Sequence, residues 1–171
     1  GGEPTLRADL VKIISMLKSI QGIKTVALTT NGYRLSKIIN ELSTAGLDAL
    51  NISLDSLDAA KFQSISGLNY CDSIKDSIQR GLDLDFKKIK VNAVLLKDVN
   101  SNELADFIAW IKTRPLSIRF IELMQTSDNE EYFKKHYLSV LNLQNQITEQ
   151  GWSLVSKDQL SGPANEYSHP D

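Results

Sequence analysis

A single cysteine, Cys71, is the sharpest shortage in this sequence of 171 residues. One thiol excludes an internal disulfide, and it excludes any metal site built from several cysteines of this chain. So low a cysteine content is typical of a reducing compartment, and we expect a cytoplasmic protein. Cys71 stands between Tyr70 and Asp72 at a predicted helix start, where we expect a half-buried structural thiol.

The chain also lacks a long apolar run, a strong net charge and more than two histidines. No stretch approaches the roughly 18 apolar residues of a membrane span, so we expect no membrane association. A formal net charge of -2 gives no general attraction to nucleic acid. His136 and His169 each lack a second ligand at metal-binding spacing, and both are expected at the surface.

Hydrophobic residues make up 42% of the chain, which is enough for one domain over residues 1–171. The chain opens on Gly1-Gly2-Glu3-Pro4 without Met, at what reads as a strand-to-helix turn, and it ends in a loop-like sequence. We therefore interpret it as a truncated single domain from a longer protein.

Short strand-like runs alternate with amphipathic stretches along most of the chain. The predicted strands are 26–29, 49–55, 89–96, 117–123 and 152–155. The predicted helices are centred on 10–17, 35–42, 74–82, 104–111 and 138–147, and the polar segment 125–135 is predicted as an exposed loop. Alternation at this spacing predicts an α/β fold with parallel strands, either a partial (β/α) barrel or a doubly wound sheet.

Polar residues mark the carboxyl ends of these strands, where parallel α/β folds bind ligands. They are Thr29, Ser53, Asn92 and Glu122. The two glycines of the opening GGEP turn let a ligand approach the main chain, and Pro4 suits entry into a helix near Leu6. Each motif alone also fits an ordinary turn, and the pair Asp55 and Asp58 fits helix capping better than acid–base chemistry.

The order of the motifs carries a resemblance that no single motif does. GGEP, LTTNG, NISLDSL, KVNAVLLKDVN and IRFIELM, with a closing GP-x-x-x-Y at 162–167, are similar to the radical S-adenosylmethionine (radical SAM) core of the molybdenum-cofactor biosynthesis protein A family. The resemblance runs from Gly1 to about Tyr167 and implies a partial (β/α) barrel of the radical SAM type. GGE turns occur in many radical SAM enzymes, whereas KVN and RFIE-x-M together are more specific.

The resemblance implies a lyase with GTP 3′,8-cyclase activity. Radical chemistry on S-adenosylmethionine rearranges GTP in the first step of molybdenum-cofactor (molybdopterin) biosynthesis, and cyclic pyranopterin monophosphate synthase takes the product. The family's 4Fe–4S clusters are held by cysteines outside the matched region, so we expect them only in a longer parent. We expect no catalytic or metal-ligating residue in this chain and no activity from it alone. The resemblance also allows a homodimer.

The resemblance also assigns ligand contacts. The positions carried over to S-adenosylmethionine are Gly2, Glu3, Ser53 and Met124. The positions carried over to the substrate GTP are Thr29, Lys90, Asn92 and Arg119. A lysine ammonium can pair with phosphate, and a methionine offers a polarizable wall to a base. From the sequence, a solvated Lys90 and a salt-bridged Arg119 stay open.

Side-chain alternation along the third predicted strand places Lys90, Asn92 and Val94 on one face. The apolar residues between them suit a covering of helices. An inward lysine is costly unless it meets an anion, so we predict that Lys90 points into the barrel and binds phosphate. Two alternatives remain for the function: another radical SAM enzyme, such as a peptide-modifying maturase, and a non-redox (β/α) barrel binding module.

Overall fold

Four parallel strands form the sheet at the centre of the fold. The structure is a computed structural model that describes residues 2–84, 86–156 and 164–170. The strands are β1 (Ala27–Thr30), β2 (Ala49–Ser53), β3 (Lys88–Leu95) and β4 (Ser117–Glu122). They lie side by side in the order β1-β2-β3-β4, and Leu50 of β2 aligns with Leu28 on one side and Ile89 on the other.

Helices connect these strands and continue beyond β4. They are α1 (Leu10–Ser19), α2 (Leu35–Thr44), α3 (Ala59–Ser66), α4 (Cys71–Asp83), α5 (Leu104–Lys112), α6 (Glu130–His136) and α7 (Leu141–Glu149). The strand order follows the chain order without reversal, which is the winding of a barrel wall. A doubly wound sheet reverses at a switch point. The predicted α/β fold with parallel strands of the barrel type is confirmed.

The two faces of the sheet differ in burial. On one face Leu50, Ile52, Ile89 and Val91 are fully buried in a single core with α1, α2 and α4. A smaller cluster around Leu95 joins the end of β3 to α5 and α7. The residues that alternate with these face the other way and stay partly exposed. Burial on the helix side therefore fixes which side chains the opposite face presents.

The predicted fifth strand at 152–155 is wrong as a member of the parallel sheet. Only Ser153–Leu154 (β5) is extended there, and it pairs antiparallel with Tyr167–Ser168 (β6). Both β5 residues are exposed, whereas β2 and β3 of the parallel sheet bury every second residue. Gly162 and Pro163 of the closing motif, like Gly1 of the GGEP turn, lie outside the described residues.

The predicted loop over 125–135 is wrong in its second half, where α6 begins at Glu130. None of the α6 residues is buried, so its sequence has no helical repeat of apolar residues from which the helix could be predicted. Its charges suit the helix dipole instead, because acidic residues occupy the first turn and basic residues the last. Glu130 also pairs with Lys134 one turn later.

Two smaller differences concern short elements. Pro4–Leu6 form a separate 3₁₀ turn, and α1 begins only at Leu10 rather than near Leu6. Helix α3 escapes prediction because Phe62 is its only buried residue. Across the described residues, no helix combines the length and the apolar content of a membrane span.

Candidate functional site

Five of the eight predicted ligand residues lie on the partly exposed face of the sheet. Strand register aligns Thr29 with Asn51 and Asn51 with Lys90. One step nearer the carboxyl ends, Ser53 aligns with Asn92 and Asn92 with Arg119. Neighbouring strands lie about 4.8 Å apart, so each row is contiguous. We call Thr29, Asn51, Ser53, Lys90, Asn92 and Arg119 the polar face.

The two cations of the polar face have no ion-pair partner among the described residues. Within the described part of the chain, neither Lys90 nor Arg119 forms an ion pair, so the salt-bridged alternative for Arg119 finds no support. Burial lowers the pKa of Lys90, and the charges of Lys88 and Arg119 lower it further, although the negative charge of Glu166 opposes the shift. The prediction that Lys90 lies opposite the helix-covered residues is confirmed, and its binding of phosphate stays a prediction.

Asn92 carries an unsatisfied polar atom. Its side-chain oxygen Oδ1 is buried and has no hydrogen-bond partner among the described residues. Its backbone oxygen is in use, since it accepts a hydrogen bond of 2.9 Å from the amide of Leu54. A buried acceptor without a donor costs about 1–3 kcal/mol, so Oδ1 is an atom that a ligand's N–H or O–H would satisfy.

The GGEP turn is fastened to the end of β1 by Glu3. The Glu3 carboxylate accepts hydrogen bonds from the hydroxyl of Thr30 at 2.6 Å, the amide of Asn31 at 2.7 Å and the amide of Thr5 at 3.0 Å. Burial raises the pKa of Glu3, but these hydrogen bonds outweigh it and leave the pKa below its usual range. Glu3 thus orients the turn, while Gly2 has a φ of 144° and open space where a Cβ would lie.

Met124 lies apart from the polar face. It follows β4 by two residues and is 74% exposed, so the structure does not bring it against the other predicted contacts.

Glu122, which is predicted at the ligand edge, instead forms hydrogen bonds within the protein. It accepts hydrogen bonds from the amide of Val140 at 2.9 Å and the hydroxyl of Ser139 at 3.1 Å, which ties the segment before α7 to the end of β4.

A family model for the radical SAM superfamily matches residues 1–111. The chain belongs to the radical SAM superfamily. This membership agrees with the observed sheet, in which polar side chains lie together where the parallel strands end. It contradicts the alternative of a binding module on an unrelated (β/α) barrel.

Relatives of this radical SAM chain match it along its whole length. It is 48% identical to a protein named GTP 3′,8-cyclase from Synechococcus elongatus and 47% identical to one of the same name from Vibrio vulnificus. The alignments cover all 171 residues but only 52% and 51% of those proteins. The chain therefore spans about half the length of the curated relatives it matches.

A solved domain of a pyruvate-formate lyase-activating enzyme from Bacteroides vulgatus shares the fold. Its TM-score is 0.65 over 86% of this chain and 88% of that one, at 23% identity. At this identity the likeness concerns the fold alone.

The sole cysteine of this radical SAM chain is buried rather than half-buried, with 1% exposure. Its sulfur lies 3.6 Å from the backbone oxygen of Ser56, and burial raises the pKa of the thiol. A raised pKa disfavours the thiolate that binds iron. Over the described residues, no three His, Cys, Asp or Glu side chains are grouped to hold a metal ion.

Asp55 does not cap a helix, so that part of the capping prediction is wrong, whereas Asp58 does cap α3 through the amide of Lys61 at 2.8 Å. The Asp55 carboxylate instead accepts a hydrogen bond of 2.8 Å from the amide of Val94, which joins the ends of β2 and β3. Burial raises the pKa of Asp55 although this hydrogen bond opposes the shift.

Sequence reasoning missed three further buried polar residues. Asn100 and Glu103 contact the loop after β2, and Asp48 lies at the opposite end of the sheet. Asn100 occupies the KVNAVLLKDVN motif, whose last residue could have signalled it. Asp48 and Glu103 stand in no recognisable motif.

Proposed function

We propose that the chain is the central part of a GTP 3′,8-cyclase, a lyase that rearranges GTP by S-adenosylmethionine radical chemistry in the first step of molybdenum-cofactor biosynthesis. The proposal is supported by the similarity of this chain, along all of its 171 residues, to relatives of that name. The observation that carries it is a pair of cations, Lys90 and Arg119, that form no ion pair with the described residues and lie beside the unsatisfied oxygen of Asn92. A polyanion that also offers N–H and O–H groups complements this arrangement.

S-adenosylmethionine fits the residues at the ends of β1 and β2. Its methionine end carries an ammonium and a carboxylate, which suit the open backbone of the turn at Gly2 that Glu3 orients. Ser53 offers a hydroxyl at the end of β2. Met124 follows β4, away from these residues, and its assignment to the cofactor rests on the family resemblance alone. When bound, S-adenosylmethionine supplies the radical chemistry, and these residues hold it in place.

GTP is assigned to the other part of the polar face. Lys90 and Arg119 would neutralise its phosphates, Thr29 offers a hydroxyl, and Asn92 would accept a hydrogen bond through Oδ1. Lys90 is half-buried and Arg119 is exposed, and neither forms an ion pair with another described residue, so both cations are available to phosphate.

An iron–sulfur cluster does not fit the described residues. A 4Fe–4S cluster needs several thiolates, and Cys71 is alone and buried. Such clusters would therefore depend on cysteines of the longer protein, and we expect the 171-residue chain alone to bind no iron. We further propose a cytoplasmic location, a possible homodimer, and delivery of the product to cyclic pyranopterin monophosphate synthase.

The test uses the whole enzyme with Lys90→Ala and Lys88→Ala as its control. Lys88 lies on the same strand and face but nearer the amino end, so it should not reach the phosphates. Loss of a charge-assisted contact weakens GTP binding by about ten- to a hundredfold in Lys90→Ala. S-adenosylmethionine binding and Lys88→Ala should change little.

Calorimetric titration of both ligands into the anaerobically reconstituted enzyme measures these effects. Equal losses for GTP and S-adenosylmethionine would contradict the assignment of Lys90. Wild-type enzyme that binds S-adenosylmethionine but not GTP would contradict the cyclase and favour another radical SAM enzyme.

A further inference from the structure

Asn100 lies in the loop after β3 and is fully buried. Its Oδ1 accepts a hydrogen bond of 2.7 Å from the amide of Leu96. Its Nδ2 donates to the backbone oxygen of Val94 at 2.9 Å and to the backbone oxygen of Asp55. One carboxamide therefore shapes the end of β3 and fastens it to the loop after β2.

Glu103 makes the second connection between these loops. It is 4% exposed, and the hydroxyl of Ser56 lies 2.9 Å from both of its carboxylate oxygens. The amide of Leu57 donates to it at 2.9 Å, and the ammonium of Lys61 lies at 3.1 Å. Three consecutive residues, 55–57, are thus held by Asn100 or Glu103.

The fastened loops begin where the polar face ends. Ser53 lies two residues before Asp55, and Asn92 lies two residues before Val94. Neither Asn100 nor Glu103 belongs to the polar face, but their hydrogen bonds set how closely the ends of β2 and β3 approach. Binding groups must be held within a fraction of an ångström, because a misplacement of about 1 Å can cost about a hundredfold in rate.

We propose that Asn100 and Glu103 are positioning residues that, by holding the loop after β2, place Ser53 where S-adenosylmethionine binding requires it, next to Asn92 of the part of the polar face assigned to GTP. This inference rests on the proposed function. A buried carboxylate that accepts hydrogen bonds from a backbone amide and a hydroxyl holds the loop's backbone in one position, because these bonds are directional. An apolar side chain in its place can stabilise the fold equally well, but it does not hold the backbone in that position.

Asn100→Asp is the sharpest substitution, because it keeps the shape and the acceptor for Leu96 but removes both donated hydrogen bonds. In the whole enzyme it should weaken S-adenosylmethionine binding roughly tenfold or more. Glu103→Ala should act alike, and Glu103→Gln, which keeps an acceptor oxygen, should recover most of the affinity. GTP binding should fall less, since two of its four proposed contacts, Thr29 and Arg119, lie on β1 and β4, outside the loops that Asn100 and Glu103 hold.

Asp48→Asn is the matched control. Asp48 is also a buried, hydrogen-bonded carboxylate next to β2, but it lies at the amino end of that strand. It should lower the Tm and leave the affinity for S-adenosylmethionine unchanged. Should Asn100→Asp fail to fold, Ser56→Ala removes only a hydroxyl and should weaken cofactor binding by about two- to tenfold.

Equilibrium binding of labelled S-adenosylmethionine to reconstituted enzyme, with the Tm measured on the same samples, decides the matter. Cofactor affinity that falls only in proportion to the Tm across all variants, Asp48→Asn included, overturns the positioning role. So does unchanged affinity in the variants when the wild type binds normally. A wild type that binds no S-adenosylmethionine would instead overturn the proposed function itself, and the inference with it.

Discussion

The two ends of the parallel sheet carry the same kinds of charged and polar residue but differ in how completely these residues are paired within the protein. At the amino end, Asp48 accepts hydrogen bonds of 2.8 Å from the amide of Val26 and from Lys18, and Lys87 lies 2.6 Å away. One buried carboxylate thereby joins α1 to the starts of β1, β2 and β3. Every charge in this group has an opposite partner.

At the carboxyl end the pairing is incomplete. Among the residues that the structure describes, Asp55 accepts from a backbone amide and forms no ion pair, Lys90 and Arg119 form no ion pair, and Asn92 keeps an unsatisfied oxygen. The amino end is stabilised by ion pairs and hydrogen bonds within the protein. The charged residues just named at the carboxyl end lack the corresponding ion pairs among the described residues, and a bound ligand can provide them. Folded proteins tolerate unsatisfied groups of this sort mainly at functional sites.

The pKa shifts express the same contrast. Hydrogen bonds from Lys18, Lys87 and Val26 hold the pKa of Asp48 well below its usual range. Burial raises the pKa of Asp55, which has no cation to offset the loss of water. The fold therefore favours the charged form of one aspartate and the neutral form of the other.

The largest expected effect comes from filling the open space at the GGEP turn. In the whole enzyme, Gly2→Val should weaken S-adenosylmethionine binding beyond about a hundredfold, because the side chain would occupy the space predicted for the cofactor. Equilibrium binding to reconstituted enzyme measures this, and iron content should stay at the wild-type level.

Gly46→Ala controls for backbone strain in that experiment. Gly46 also has a positive φ, of 88°, and an added Cβ would lie 3.1 Å from Lys18 Cγ at the amino end. This variant should lose stability while binding S-adenosylmethionine normally. Normal binding by Gly2→Val would mean that the turn is only structural.

A smaller effect is expected at the amino end itself. Asp48→Asn removes the charge that Lys18 and Lys87 share and should lower the free energy of unfolding by about 1–3 kcal/mol at pH 7. Lys87 is largely exposed, so most of the loss should come from Lys18 and the backbone contact. Urea unfolding of the whole protein measures it, and a loss of ligand affinity without loss of stability would erase the contrast between the ends.

Sequence reasoning recovered the four strands of the parallel sheet, their direction and the polar face, because all three follow from alternation in a sheet buried on one side, but it wrongly added a fifth strand at 152–155. It located Thr29, Ser53, Lys90, Asn92 and Arg119 on one surface. It could not find Asp48 or Glu103, because their partners lie 22 to 47 residues away along the chain. Nor could it find α6, whose stability depends on charge rather than on an apolar face.

The smallest effect, and the most discriminating, is an opposite pH dependence at the two aspartates. Asp48 has a lowered folded pKa, so its stabilisation is present above the unfolded value of about 3.9 and is lost as the pH falls through the folded pKa. Asp55 has a raised folded pKa, so its ionisation opposes folding above that pKa, and the penalty disappears as the pH falls toward about 3.9.

Asp55→Asn should therefore stabilise the protein slightly at pH 7, since the amide resembles the neutral acid and can still accept from Val94. Its advantage over the wild type should shrink as the pH is lowered from 7 toward 4, whereas the deficit of Asp48→Asn should stay nearly constant over that range and shrink only below about pH 4. Urea unfolding of both variants across that range is the measurement. Two results would contradict this prediction: an Asp55→Asn variant less stable than the wild type at pH 7, or a stability gain that does not vary with pH. Either would show that interactions within the protein stabilise the ionised Asp55 carboxylate as fully as that of Asp48. If Asp55→Asn is more stable at pH 7, the ionised Asp55 carboxylate lowers the free energy of unfolding of the wild type. The protein would then keep a destabilising charge beside the surface where a ligand is expected.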